Sequence, residues 1–474
     1  MVSSLTPKQK ALNINLDQRI YGTFAEIGAG QETVRLFYQA GGASGTVAKS
    51  MSAYDKVFSD IIYGKEDDGR YVTLGRLRKM MRKEIDLLEA RLASGGEKRL
   101  YFSYANTVAT IDFAKTFKGH GWVGILFKHD CDEDYNEIVL HVRFKQTDAQ
   151  SQQATLGKMG VNLIFGAYYL NQDPKNLLDS LYDYIQKDHI EIDVINFSGP
   201  AFKKIDNRVM SLELVKKGMT EAVGFSPDGQ NVLLETLLYK KNIFTVRGSF
   251  RPVNNLHIDM LNGGLNLFLK QKEVTEENTQ IIFEITLSNL MEQGTIDEQD
   301  FLNRADILCA MGYHVLISNY SEFYLLVDYY SKFSKKKSAL TMGVNNLLHI
   351  FNEQYYSHLS GGIMEAFGKL FARDLKIFLY PYSDPSTGQI LNSHNLKVDA
   401  KLKDLYKYFK KNQQIIDISD YKLENLTIRG KEVLNQIACG NDVWKKSVPT
   451  SVAEMVEKNN MFGLTSSSLE LEKN

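Results

Sequence analysis

The stretch Glu26-Ile27-Gly28-Ala29-Gly30-Gln31-Glu32 decides how the chain is read. An apolar run from Ile20 to Ile27 leads into it, and a helical pattern (Val34, Leu36, Phe37) leads out. Strand, two-glycine turn and helix start make one β–turn–α unit. Such a turn presents backbone N–H groups to an open pocket, a geometry suited to anions. Gly28 and Gly30 are therefore candidate ligand-binding positions, and a plain βα connection is the alternative reading.

The same alternation dominates the middle of the chain. Apolar, β-rich runs occur at Asn162 to Tyr169, Ile190 to Phe197, Ala222 to Ser226, Ile243 to Phe250, Gln280 to Leu287, Tyr313 to Ser318, Ala339 to Val344 and Leu375 to Tyr380. Helical patterns lie between them. Repeated β-α units argue an α/β fold with a parallel sheet. The unit count favours a β/α-barrel-like closure slightly; a doubly wound parallel sheet gives the same pattern. The first run could also be the middle of a helix.

Residues 1–155 read as an N-terminal α+β domain, containing a helix over 73–93 and strands at Leu100 to Val108, Trp122 to Lys128 and Glu137 to Phe144. The β/α-repeat domain is expected at 156–385 and a mostly helical C-terminal extension at 386–464. The end, 465–474, is polar and expected to be disordered.

At 474 residues, with 56 basic against 57 acidic side chains, no global field draws the chain to nucleic acid or to an anionic membrane. Cys131, Cys309 and Cys439 are too scattered for a disulfide framework or CxxC metal sites. His120, His129 and His141 flank the acidic Asp130-Cys131-Asp132-Glu133-Asp134. That loop lacks calcium-loop spacing, and no metal site is assigned. Neither a signal-peptide pattern nor an apolar run of spanning length is present, so a cytoplasmic location is the default expectation.

Ligands of parallel α/β folds bind at the C-terminal ends of the strands. The segments there are polar: Asn196-Phe197-Ser198-Gly199-Pro200, Arg247-Gly248-Ser249-Phe250-Arg251-Pro252, Ser288-Asn289, Ser318-Asn319 and Gly343-Val344-Asn345. Asn196, Ser198, Arg247, Ser249, Arg251, Asn289, Asn319 and Asn345 are candidate ligand-binding residues. Paired guanidinium groups suit phosphate or carboxylate, and a small-molecule anionic ligand is expected. Glu284 and Asp193 sit within apolar strands, where an ionised carboxylate needs a partner or a raised pKa. Both are candidate catalytic acid–base residues; a partner such as Arg247 would make Glu284 structural.

The segments Leu12 to Asp17, Tyr21 to Glu32, Ser52-Ala53-Tyr54-Asp55, Phe197-Ser198-Gly199-Pro200 and Arg247 to Pro252 together resemble an uncharacterised family of bacterial proteins. Its members often carry the label nicotinamide- or nicotinate-nucleotide adenylyltransferase. The resemblance implies nucleotidyl transfer, with Mg²⁺ as the accompanying ion. That enzyme class has a GxFxPxHxGH motif. Gly22-Thr23-Phe24 matches its first three positions, but Ala25 to Gln31 supplies no histidine, so no site residue carries over. The chain also lacks GxxxxGK[ST], GxSxG, HExxH and the third glycine of a dinucleotide fingerprint. An enzyme acting on a phosphorylated or nucleotide-like molecule is the first functional expectation. A non-enzymatic homo-oligomeric scaffold or ligand sensor is the second.

Overall fold

The computed structural model describes residues 5–67, 69–92, 99–115, 118–129, 134–292 and 294–464. The polar end at 465–474 and most of the acidic loop, 130–133, lie outside them. The chain divides into two compact units, Met1–Thr220 and Glu221–Asn474.

The first unit holds strands β1 (Ile20–Gly28), β2 (Val47–Ser52), β3 (Leu100–Ala109), β4 (His120–Phe127), β5 (Asn136–Phe144) and β6 (Ile190–Ser198). They form one sheet in the order β2-β1-β3-β4-β5-β6. The first three are parallel, and β3 to β6 run antiparallel in sequence. Helix Leu74–Leu92 follows from its 3.6-residue apolar period, and buries Leu77, Met80, Met81 and Ile85. It covers one face of the sheet, where a Cβ on Gly124 would meet Leu77 and Met81. Helices Glu32–Ala40 and Ala149–Tyr169 pack together on the other face, where Phe127 meets Tyr168.

Two runs expected as repeat strands belong here instead. Asn162 to Tyr169 is the second half of helix Ala149–Tyr169, not a strand. Leu163, Ile164 and Ala167 are fully buried, and a helix enclosed on most sides has no polar stripe to reveal its period. Ile190 to Phe197 is a strand, but as β6 it closes the first sheet antiparallel to β5.

The second unit contains β7 (Ala222–Phe225), β8 (Asn231–Val232), β9 (Asn242–Arg247), β10 (Thr279–Thr286), β11 (His314–Ser318), β12 (Ser338–Gly343), β13 (Lys376–Tyr380), the two-residue hairpin strands β14 (Tyr382–Ser383) and β15 (Ile390–Leu391), and β16 (Ile415–Asp417). Its sheet runs β16-β13-β12-β9-β10-β11-β7-β8. The six strands from β16 to β11 are parallel, while β7 pairs antiparallel with β11 and β8 with β7.

This is an open sheet with β16 and β8 at its edges, so the slight preference for a barrel is corrected to the doubly wound form. Counted from β9 in chain order, the parallel strands lie 3-2-1-4-5-6 across the sheet. Both faces are covered, which explains the continuous apolar runs. Phe244 and Phe378 pack against Phe268 of helix Asn255–Leu269. On the opposite parity Ile243, Leu340 and Ile377 join a core with Leu326 and Phe367, from helices Phe323–Ser331 and Gly362–Leu370. Among the described residues no helix is long and apolar enough to cross a membrane.

Candidate functional site

Each unit has a point where successive connections leave a central strand in opposite directions, and ligand crevices of α/β sheets open there. In the first unit that strand is β1. It is followed by β2 on one side and by β3 on the other, through helices on opposite faces. Its C-terminal end is Glu26 to Gly30. In the second unit the strand is β9, flanked by β10 and β12, and its C-terminal end is Arg247 to Arg251.

At the first point three polar residues stand in register across three parallel strands. Ser52 pairs with Glu26, and Glu26 pairs with Asn106. Gln31 bridges back over the row, donating from Nε2 to Ser52 Oγ at 2.7 Å and to the Gly28 carbonyl at 2.6 Å. Below it the Thr33 and Tyr104 hydroxyls meet at 3.2 Å. Glu26 is 2% exposed and Asn106 fully buried. Glu26 Oε1 and both polar atoms of the Asn106 amide make no hydrogen bond of normal geometry within the protein, the Tyr104 hydroxyl being the group that interacts with the amide. Each such buried atom costs about 1–3 kcal/mol, so three at one place mark it as more than packing. Burial, reinforced by the charge of Glu32, lifts the Glu26 carboxyl to about 7.

The two glycines let the turn descend onto β3. Gly28 has φ +87°, and a Cβ there would strike the Val108 carbonyl; a Cβ on Gly30 would strike the Asn106 amide. Helix Glu32–Ala40 starts directly above, and its N-cap Gln31 makes no side-chain capping bond. In its first turn the Thr33 N–H donates to the Gly30 carbonyl at 3.2 Å, and Glu32 faces the positive end of the helix dipole.

The second point is chemically committed. Arg247 Nε and Nη2 donate to the two oxygens of Glu284 at 2.8 and 2.9 Å, and Nη1 donates to the Ser321 carbonyl at 2.9 Å. Ser318 Oγ adds a bond to Glu284 at 2.6 Å. Arg247 also lies over the Phe323 ring, 4.2 Å from its centroid. Glu284 is fully buried, so the pair neutralises a charge the strand could not otherwise hold.

Arg251 donates to Asp300 at 2.5 Å, and Asp300 also pairs with the buried Arg304. Arg304 in turn donates to the carbonyls of Ser249 and Asn289, both at 3.1 Å. The Asn289 side chain completes a capping box with Thr286, and Asn319 reaches Glu221 at 3.3 Å. Asn345 is exposed in the first turn of helix Val344–Ile350. The start of helix Asn255–Leu269, where a dinucleotide phosphate would sit in this strand order, is closed by an Asn254–His257 capping box. The buried Phe250 ring packs on His257.

Asp193 occupies a third cluster, at a bulge in β6 opposite His141 and Val142. His141 Nδ1 lies 2.5 Å from one carboxylate oxygen and Arg143 Nε donates to the other at 2.7 Å. His141 Nε2 faces His120 Nδ1 at 3.1 Å. Burial alone would raise the Asp193 pKa, but His141 and Arg143 together hold it well below the carboxylate range. That makes it a fixed anion, unsuited to proton transfer near neutrality. Among the described residues no group of three or more His, Cys, Asp or Glu side chains is placed to hold a metal ion. Asn196 and Ser198 follow on the same strand, Ser198 exposed at its end.

The fold therefore gathers Gly28 and Gly30 around Glu26 and Asn106. It gathers Arg247 with Glu284, and links Arg251 through Asp300 to Arg304, which holds the Ser249 and Asn289 carbonyls. Gly28 and Gly30 belong to one unit, and Arg247 and Arg251 to the other. Sequence reasoning named Glu26 only as part of the turn, with no catalytic role, and missed Asn106. Its signal was a lone amide inside the apolar run Leu100 to Val108, of the kind that drew attention to Glu284.

No family model matches the chain, and no curated protein matches it. Solved structures that resemble it weakly include a competence-damaged protein (CinA) superfamily member from Enterobacter cloacae. It is 11% identical with a TM-score of 0.27, over 35% of this chain and 95% of that one. Another is the competence/damage inducible protein CihA from Agrobacterium tumefaciens, 14% identical with a TM-score of 0.24, over 35% and 98%. A third is assigned as a nicotinate-nucleotide adenylyltransferase from Vibrio parahaemolyticus, 11% identical with a TM-score of 0.21, over 48% and 97%. Likeness at this level carries no conclusion about chemistry.

Proposed function

We propose that the chain is an enzyme acting on a small phosphorylated or nucleotide-like molecule at the strand ends of the first unit. The observation that carries this reading is the row Ser52–Glu26–Asn106 at the switch of strand direction, where Glu26 Oε1 and the Asn106 amide are buried without a hydrogen bond of normal geometry. A carboxyl that titrates near neutrality can give or take a proton at little cost, and general acid–base catalysis contributes about 10²- to 10⁴-fold. The Asn106 amide offers a donor NH₂ group and an acceptor carbonyl side by side, which suits the edge of a carboxamide or base. The start of helix Glu32–Ala40, which has no side-chain cap, suits the ligand's anionic group. Nucleotidyl transfer, with its Mg²⁺ requirement, is the subclass implied by the sequence resemblance.

The test is calorimetric titration of nucleotides, pyridine nucleotides and sugar phosphates into wild type, Glu26→Gln and Asn106→Leu. One class is expected to bind wild type with an affinity that changes around neutral pH, and Glu26→Gln is expected to abolish that pH dependence. If no class binds, or if both variants bind as wild type does, the site is lost.

A second reading, a self-assembling protein, draws on helix Lys56–Tyr63. Val57 and Ile61, one turn apart, are 67% and 74% exposed, and Tyr54 just before the helix is 83% exposed. Apolar side chains clustered in this way favour a protein contact. Native mass spectrometry should then show an oligomer that Val57→Glu with Ile61→Lys dissociates; a monomeric wild type would rule this reading out.

A further inference from the structure

The second unit has a cavity of about 620 Å³ beside its last strand, lined by Ser393, His394, Lys397, Lys403, Lys407 and Lys410 among others. That is within the size range of small-molecule sites, about 300–1,000 Å³. Its floor is a constructed one. Ser393 is 3% exposed and donates from N and Oγ to the two oxygens of Asp417, at 2.9 and 2.6 Å. The Tyr406 hydroxyl donates to the Ser393 carbonyl at 2.9 Å.

The walls carry positive charge. Lys403, Lys407 and Lys410 recur at i, i+4 and i+7 on helix Lys403–Lys411, and so share one face. Lys397 lines the cavity from the preceding segment. Lys407 is paired with the exposed Asp404 at 3.0 Å, and Lys410 donates to the Ser393 carbonyl at 2.6 Å. Lys397 and Lys403 are exposed and have no ion-pair partner among the described residues. Asp417 is already bound to Ser393 and lies 3.4 Å from His394. Lysines spread over a convex surface are simply solvated. Lys397, Lys403 and Lys410, with no ion-pair partner among the described residues, converge on one concavity and focus a positive potential there.

We propose that this cavity binds the phosphate groups of a small phosphorylated molecule, up to the size of a nucleotide, with Lys397 and Lys403 as the free cations that meet it. The Ser393–Tyr406 floor holds the cavity open, and Leu396 and Val398 provide apolar wall for the remainder of the ligand. This site is independent of Glu26 and of the reading built on it.

Calorimetric titration of the full chain with adenosine triphosphate, pyrophosphate and inorganic phosphate tests it. The variants are Lys397→Glu with Lys403→Glu and the matching alanine pair. Adenosine triphosphate is expected to bind wild type more weakly as salt rises. The charge-reversed pair should weaken binding by more than about tenfold and the alanine pair by less. Both lysines are exposed, so an unchanged melting curve should confirm that each pair folds. The proposal is overturned if none of the three probes binds, or if the charge-reversed pair binds as wild type does.

Discussion

Glu26→Gln is expected to stabilise the first unit at about pH 8 by about 3 kcal/mol and to change its stability little at about pH 4.5. The carboxyl is raised from 4.5 to about 7 in the folded state by burial and by Glu32. Below the unfolded pKa both states hold the proton, and the substitution is nearly silent. Between 4.5 and about 7 the folded state keeps a proton that the unfolded state has released, so wild-type stability falls as pH rises. Above that window the folded protein contains an ionised carboxylate with an unpartnered oxygen, at full cost. Glutamine keeps the shape and never titrates. The stabilised variant is also the one expected to lose acid–base function, the trade-off seen where a site is held in a strained electrostatic state. Urea denaturation across this pH range measures the difference; a constant gap between variant and wild type would mean that Glu26 titrates at its ordinary value.

Arg247→Ala is expected to cost the second unit about 3–5 kcal/mol, the largest loss from any single substitution at the two switch points. It strips Glu284 of both bidentate bonds in a fully buried position. It also removes the guanidinium from the Phe323 ring. Replacing the whole cluster with apolar residues of similar volume, as in Arg247→Met, Glu284→Leu and Ser318→Ala together, should recover most of the loss, since no charge is then left uncompensated. The midpoint of urea denaturation distinguishes these outcomes. If the single and triple variants were equally damaged, packing rather than charge pairing would be the role of Arg247.

These effects also show what the sequence could and could not disclose. The β–turn–α unit at Glu26 to Glu32 was legible because an apolar run, two glycines and a helical period meet within seventeen residues, Ile20 to Leu36. The Arg247–Glu284 pairing was readable as an option, because a charge inside an apolar strand must be compensated. Asn106 was not legible as a neighbour of Glu26. Only the register between β1 and β3, strands separated by a long stretch of chain, places the two side by side. Alternating strands and helices do not say whether a sheet closes, so an open sheet and a barrel look alike until β10 and β12 are seen on opposite sides of β9. Phe250 is apolar inside a polar loop, and nothing local reveals that it packs against the start of helix Asn255–Leu269.

The proton on Glu26 is the pivot between a packed strand end and a working site. Selective ¹³C labelling of glutamate carboxyls, with the Glu26 resonance assigned by its loss in Glu26→Gln, follows that proton directly by NMR across the pH range. A midpoint near 7 is expected for this carboxyl. A midpoint at the ordinary glutamate value of 4.5 would contradict a role for Glu26 in proton transfer near neutrality.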